Sequence, residues 1–308
     1  MTRKIGIIGD GHVGSTVAHY IVANGFTDEL VMIDKNEAKV KSDAIDFEEA
    51  MPNLDNHTKI YVNQYEELKD ADVIISALGK IKLVDTPEGQ NNRFIELVHN
   101  RDNVKEVSKK IKESGFHGVI IAITNPVDVI TSLYQKYTGL DKSQVIGTGT
   151  LLDSARMKRA VANKLNIDSR SVSGYNLGEH GNSQFTAWST VRVFDRPISE
   201  LVDKYNLDLD QLDDEARKGG FTVFSGKKYT NYGVATAAVR LANIVMSDAL
   251  TVLPVSNYRE EYGIYLSYPA VIGRNGVVKQ LDLDLTKDEL KKLQNSADFI
   301  QNKYQESL

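Results

Sequence analysis

Apolar residues in the N-terminal half come in short unbroken runs, separated by stretches in which they recur every three or four positions. The runs are Lys4–Ile8, Leu30–Ile33, Val73–Ser76, Val119–Ile123 and Val145–Ile146. A run with no polar alternation is the signature of a strand buried on both faces. Between the first two runs, Val13, Val17 and Ile21 fall on one helical face, and Asn24-Gly25 supplies a stop. Strand, tight turn, helix and strand make a βαβ unit. Its repetition predicts a parallel sheet covered by helices on both sides.

From Asp153 onward the pattern changes. A helix is predicted from about Asp153 to Asn166, followed by an extended stretch at Ser171–Leu177. Phe185–Val193 alternates with a period of two, which predicts a partly exposed antiparallel strand. Thr222–Met246 reads mostly as helix. Tyr265–Ile272 and Val277–Leu281 flank Arg274-Asn275-Gly276, where Asn-Gly predicts a type I′ hairpin turn. Thr286 with Glu289 three residues on has the spacing of a capping box, opening a last helix. The expected fold class is therefore α/β: a Rossmann-type doubly wound parallel sheet at 1–150, then a mixed α+β substrate domain with antiparallel strands at 151–308. No repeat or low-complexity linker separates the halves, so they are expected to pack tightly.

Composition narrows the chemistry. A chain of 308 residues is long enough for two joined cores, and a net charge of −5 gives nucleic acid or an anionic membrane nothing to pair with. The absence of cysteine excludes disulfides, thiolate catalysis and cysteine-held metal centres. No apolar run approaches the length of a membrane span and no signal core precedes the first strand, so a cytoplasmic protein without a membrane partner is expected.

The first strand runs into Gly9-x-Gly11-x-x-Gly14, and the helix follows directly. In that context Gly9 permits the turn, Gly11 lets the backbone approach a pyrophosphate, and Gly14 allows the helix to pack closely on the strand. Asp34 ends the second strand, where a carboxylate accepts hydrogen bonds from an adenosine ribose and repels a 2′-phosphate. NAD is the expected cofactor, with Lys35 adjacent as a residue that could soften the preference. His12 lies inside the turn and is assigned no chemistry. Six histidines are present, and only His180 is set in a glycine-flanked polar stretch, GEHGNSQ, suited to an exposed loop. Asp153 and Arg156 lie on one helical face, just after Gly147-Thr148-Gly149-Thr150 closes the last strand of the nucleotide sheet. Ligands bind at that edge of such sheets. On spacing alone, an ordinary intrahelical ion pair is the better account of Asp153 and Arg156; their place at the sheet edge is what favours a site.

The opening glycine turn, TNPVD, GTGTLLDSAR and GEHG, in this order and spacing over essentially the whole chain, resemble the L-lactate and malate dehydrogenase superfamily. Within it, GYNLGEHGNSQF and the long segment after Gly79 are most similar to L-2-hydroxyisocaproate dehydrogenases of lactic-acid bacteria. The resemblance implies that His180 gives a proton to the 2-oxo group in reduction and takes it back in oxidation. It implies that Asp153 holds the imidazole, that Arg156 clasps the substrate carboxylate, and that Arg93 polarises the carbonyl. Asn125 and Thr230 would lie beside the substrate. Gly9, Gly11, His12, Val13, Gly14, Asp34, Gly79, Asn125 and Val234 would line the NAD site, and no metal is implied.

Between Gly79 and Arg93 there is no second arginine to pair with a distal carboxylate; Lys80 and Lys82 offer point charges but no fork, which disfavours a dicarboxylate. The segment 80–92, KIKLVDTPEGQNN, is longer than the usual lactate dehydrogenase version and suits a bulkier side chain. A branched or medium-chain aliphatic 2-oxo acid such as 2-oxoisocaproate is expected, with pyruvate as the alternative substrate and a non-catalytic dinucleotide sensor as the alternative of another class. Sugar-phosphate-activated members carry a histidine where Ser173 stands, so such activation is not expected. The resemblance alone implies a homodimer or homotetramer.

Overall fold

The computed structural model describes residues 2–80, 83 and 94–308. Its centre is a nine-stranded sheet. Six strands form the nucleotide half: β1 (Lys4–Ile8), β2 (Glu29–Ile33), β3 (Lys59–Val62), β4 (Val73–Ser76), β5 (Val119–Ala122) and β6 (Val145–Gly147). They lie parallel in the order 3-2-1-4-5-6, the doubly wound arrangement. The chain reverses direction of travel between β1 and β4, which opens a crevice at the carboxyl ends of both.

Side-chain alternation explains why the runs carry no polar residues. Ile5, Ile7, Leu30 and Met32 face a core on one side of the sheet, and Ile8, Val31 and Ile33 face a core on the other. The first core is closed by α1 (His12–Ala23) and α2 (Glu37–Ala50), the second by α3 (Leu97–Ser114) and α4 (Val127–Thr138). Each fully buried isoleucine or leucine stabilises the fold by about 1.5–3 kcal/mol.

The second half begins with α5 (Leu151–Leu165), followed by the short strands β7 (Val172–Ser173), β8 (Asn176–Leu177), β9 (Phe185–Thr186), β10 (Arg192–Val193) and β11 (Arg196–Pro197). The predicted continuous strand over Phe185–Val193 is thus broken, because a 3-10 turn at Trp188–Thr190 separates its two ends. The ends pair with different partners, β9 with β8 and β10 with β7 and β11. Helices α6 (Val202–Tyr205), α7 (Leu209–Lys227) and α8 (Tyr232–Ser247) follow. The stretch read as one helix from Thr222 to Met246 is therefore two, interrupted where Lys228 adopts a left-handed conformation.

β12 (Thr251–Arg259), β13 (Ile264–Gly273) and β14 (Gly276–Gln280) then extend the nucleotide sheet in antiparallel fashion, β12 joining β6 at Ser256 opposite Gly147. The two halves therefore share one sheet. At the β13–β14 turn Gly273 pairs with Gly276, so Arg274 and Asn275 form the tip. Among the described residues only Gly276 of these three has a positive φ, +92°, and the register shifts between Val271 and Ile272. The predicted type I′ turn centred on Asn275-Gly276 is replaced by a tip followed by a left-handed glycine. The last helix, α9 (Lys287–Glu306), starts with the capping box of Thr286 and Glu289. It packs Leu293, Ala297 and Ile300 onto the core shared with α4. A third core, built around Met157, Val161, Val191 and Leu212, holds α5 and α7 to the short strands.

Candidate active site

At the carboxyl ends of the parallel strands lies a cavity of about 830 Å³, a volume suited to a dinucleotide with a small substrate. Its nucleotide end is shaped by backbone. Gly9 has φ +97°, and a Cβ there would stand 2.7 Å from the carbonyl oxygen of Ala77 on the far side of the crevice. A Cβ on Gly14 would stand 1.8 Å from the carbonyl oxygen of Gly9, so only glycine lets α1 start this close to β1. At Gly11, the N-cap of α1, a Cβ would meet nothing within 4 Å, and this residue faces the cavity. A turn closed below and open above, at a helix N-terminus, is a cradle for a pyrophosphate.

Asp34 lies on the cavity wall, where its carboxylate accepts from the N–H of Asp10 at 2.6 Å and of Asn36 at 2.7 Å. Those bonds fix the carboxylate at the end of β2 on the wall of the cavity. The residues present fit the dinucleotide. His12, Val13, Gly79, Asn125 and Val234 also line the cavity, whereas Gly14 supports the turn from behind.

At the opposite end stands His180. Its Nδ1 donates to Asp153 Oδ2 at 2.5 Å, leaving Nε2 for the cavity that the residue lines. Asp153, buried in the first turn of α5, also accepts from Arg156 Nη1 at 2.9 Å through its other oxygen. One carboxylate therefore holds both the imidazole and the guanidinium, and of the pair predicted from spacing Arg156 lines the cavity while Asp153 is buried behind it. Thr230 lies on the same wall, in the connection between α7 and α8. Arg93 lies outside the described residues.

The loop carrying His180 is shaped by its own neighbours. Glu179 folds back so that its carboxylate accepts from the N–H of Ser183 at 2.9 Å and from its hydroxyl at 2.6 Å. A Cβ on Gly181 would fall 1.9 Å from Glu179 Oε1, so a larger residue after the histidine would displace this carboxylate from its bonds to Ser183. The backbone N–H of His180 donates to Asp128 Oδ2 at 2.8 Å, and Ser256 Oγ donates to Asp128 Oδ1 at 2.6 Å. Burial pushes the Asp128 carboxyl up to about 7, opposed by these two bonds. Asp128 thereby ties the start of α4, the histidine loop and β12 together. Arg217 of α7 grips the loop from the other side, donating to the carbonyl oxygens of Asn182 at 3.3 Å and of Gln184, and to Asp213 at 2.8 Å.

Sequence reasoning singled out His180, Arg156, Asn125, Thr230, Val234, Gly9 and Gly11, which line one cavity, and Asp153 and Gly14, which support it from behind. It missed Asp128, Ser256, Arg217 and Gly220. An acid inside the apolar stretch Val127-Asp128-Val129-Ile130 was the available signal for the first, since a carboxylate there needs buried donors. Among the described residues no group of three or more His, Asp or Glu side chains stands where it could hold a metal ion, and no helix is long and apolar enough to cross a membrane.

Comparison with known proteins agrees with this geometry. Residues 3–147 match the family model for the NAD binding domain of lactate/malate dehydrogenase, and residues 150–308 match the model for its alpha/beta C-terminal domain. The chain is 36% identical to L-lactate dehydrogenase 3 of Bacillus thuringiensis subsp. konkukian, over 98% of this chain and 96% of that protein. It is 35% identical to L-lactate dehydrogenase 1 of Bifidobacterium longum, over 97% and 96% respectively. The crystal structure of the minor L-lactate dehydrogenase from Enterococcus mundtii in the ligands-bound form superposes with a TM-score of 0.92 at 33% identity, over 99% of this chain and 98% of that one. Lactate dehydrogenase from Eimeria maxima with NADH and oxamate superposes with a TM-score of 0.91 at 26% identity, over 99% and 94%. With a phosphate cradle at one end of the cavity and a carboxylate-held histidine at the other, the chain belongs to the lactate/malate dehydrogenase family and is an NAD-dependent L-2-hydroxyacid dehydrogenase.

Proposed function

We propose that the preferred substrate is a branched or medium-chain aliphatic 2-oxo acid of the 2-oxoisocaproate type, reduced reversibly to the L-2-hydroxy acid. The observation that carries this reading is the wall of α7 facing Arg156. Gly220 lines the cavity there, and a Cβ on it would stand 2.9 Å from Arg156 Nη2. Phe221 and Phe224 flank it on the same wall, and Thr230 and Leu152 also line the cavity. Gly220 makes room for the guanidinium, and a carboxylate clamp beside the apolar side chains of Phe221, Phe224 and Leu152 supports an aliphatic group larger than a methyl. Each additional buried methylene favours binding by roughly 0.8 kcal/mol, so a branched acid outranks pyruvate without excluding it.

Bound NAD supplies or accepts the hydride at C2. In this reading His180 Nε2 donates its proton to the forming alkoxide in reduction and receives it from the hydroxyl in oxidation. Asp153 stabilises the imidazolium and fixes its orientation, as a buried carboxylate does for other catalytic histidines. Arg156 fixes the substrate carboxylate through a two-pronged pair, which decides the face of C2 that meets the nicotinamide. Asn125 and Thr230 orient the substrate, and Arg93 polarises its carbonyl. The division at residue 150 separates cofactor binding from substrate binding, a reading supported by the two family matches that meet there. The chain acts as a homodimer or homotetramer.

The L-lactate dehydrogenase names of the relatives favour pyruvate as the second reading. Steady-state kinetics with pyruvate, oxaloacetate and 2-oxoisocaproate decide between them. The expected order of kcat/KM is 2-oxoisocaproate, pyruvate, oxaloacetate. A pyruvate value well above that for the branched acid would reject the preference.

A further inference from the structure

We propose that His12 and Tyr229 form a latch through which a dinucleotide in the glycine turn positions the substrate wall. His12 opens α1 directly after Gly11, and its ring stacks on that of Tyr229 with centroids 3.8 Å apart and planes within 5°. Both residues line the cavity. Four residues after His12, on the same face of α1, Thr16 accepts from Asn231 Nδ2 at 3.0 Å, and its own hydroxyl donates to the carbonyl oxygen of His12 at 2.6 Å. The first turn of α1 thus holds Tyr229 and Asn231, the two residues on either side of Thr230. Lys227 completes the arrangement, placing Nζ 5.0 Å from the Tyr229 ring centroid and 3.9 Å from that of Tyr232, and donating to Asn231 Oδ1 at 2.6 Å.

The consequence is physical coupling between two sites on different halves of the chain. A pyrophosphate at the N-terminus of α1 orders the first turn of that helix, and the order passes through the stacked rings and the Asn231 to Thr16 bond to Thr230. His12 is exposed, so its replacement leaves the core intact. His12 and Tyr229 are positioning residues in this scheme, acting on the substrate through Thr230.

The test is amide hydrogen exchange of the 228–231 segment with and without NADH, in the wild type, His12→Ala and His12→Phe. The phenylalanine keeps the stack and removes the ring nitrogens. NADH is expected to protect the segment in the wild type and His12→Phe and to lose most of that effect in His12→Ala. Equal protection in all three overturns the latch, whatever the substrate proves to be. Where the 2-oxo acid reading above holds, a second readout rests on it. His12→Ala and Tyr229→Leu should each raise the oxo-acid KM about threefold to tenfold with a smaller change in kcat, the range a stacked ring pair supplies. The double variant should be no worse than the poorer single one. Increases that multiply, or a His12→Ala effect confined to NADH affinity, would overturn the coupling. Absence of turnover by the wild type with any oxo acid would instead overturn the substrate reading and leave the exchange result to decide the latch.

Discussion

The two ends of the cavity are built on opposite principles. The cofactor end is one short stretch of chain, residues 9–14 with Asp34, and it works through missing side chains: Gly9 and Gly14 leave room for backbone, and Gly11 leaves the cradle open. The chemical end gathers side chains from α4, α5, the histidine loop, α7 and β12, and works through groups that are present and paired. Atoms added to the first should break it, and atoms removed from the second should break it. Substitutions of both kinds test that contrast.

The largest effect is expected at the chemical end. His180→Ala removes the proton carrier of the proposed reaction and should lower kcat by about 10²-fold to 10⁴-fold, the range for a positioned acid or base. NADH affinity, measured by fluorescence titration, should change little because the cradle lies at the far end. Wild-type turnover in this variant would remove His180 from the chemistry, and a lost NADH affinity would show that the two ends are not separable.

Arg156→Lys comes next. The ammonium keeps the charge, yet it cannot form a fork on the substrate carboxylate while holding Asp153. One lost charge-assisted bond is worth about 1.5–3 kcal/mol, so kcat/KM should fall by roughly 10-fold to 10²-fold, chiefly through KM. An unchanged KM for the oxo acid would contradict the clamp.

The same contrast explains what could be read without a structure. The parallel strands were legible because burial on both faces leaves an unbroken apolar run, and the glycine turn because its parts are neighbours in sequence. The antiparallel extension was harder. β12 contains Pro254, Ser256 and Asn257 and has no apolar alternation, yet Ser256 and Asn257 are buried because partners elsewhere in the fold satisfy them. Phe185–Val193 has the right period for one strand, but its ends serve two sheets. At the site, His180, Asp153 and Arg156 were found through a resemblance and through spacing on one helix. Asp128 was not, because its donors are 52 and 128 residues away in sequence and no local pattern announces them. Arg217 reads as one half of an ordinary helical pair with Asp213, and only the fold brings Asn182 and Gln184 to it.

At the cofactor end, Gly14→Ala adds a single carbon 1.8 Å from the Gly9 carbonyl oxygen. Neither backbone can give way without moving α1 from β1. Such overpacking costs about 1–3 kcal/mol, measurable in urea unfolding, and it should weaken NADH binding while kcat at saturating NADH stays near wild type. A variant as stable as the wild type, with unchanged NADH affinity, would show that the close approach is not required.

The smallest effect tests whether a side chain inside the glycine turn itself influences cofactor binding. Asp10 stands between Gly9 and Gly11 with its carboxylate buried, 3.2 Å from Lys39 Nζ, which also pairs with Asp43 at 2.5 Å. Asp34 accepts from its backbone, so the charged groups around it are Lys39, Asp43 and Asp34. Burial pushes the Asp10 carboxyl up to about 7, with the pull of Lys39 opposing it and Asp43 adding to it. Because its folded value lies above the unfolded 3.8, the folded chain binds more protons than the unfolded chain between about pH 4 and pH 7. The stability Asp10 contributes is therefore complete at the acid end of that window and is lost as pH rises through it. Asp10→Asn should flatten this slope. The same ionisation sets a negative charge beneath the phosphate cradle, so NADH should bind about twofold to fivefold more weakly as pH rises from 6 to 8, an order expected of one partly screened charge. The asparagine variant should bind NADH with little dependence on pH over that range. An identical pH dependence in both proteins would mean that Asp10 contributes no charge to cofactor binding.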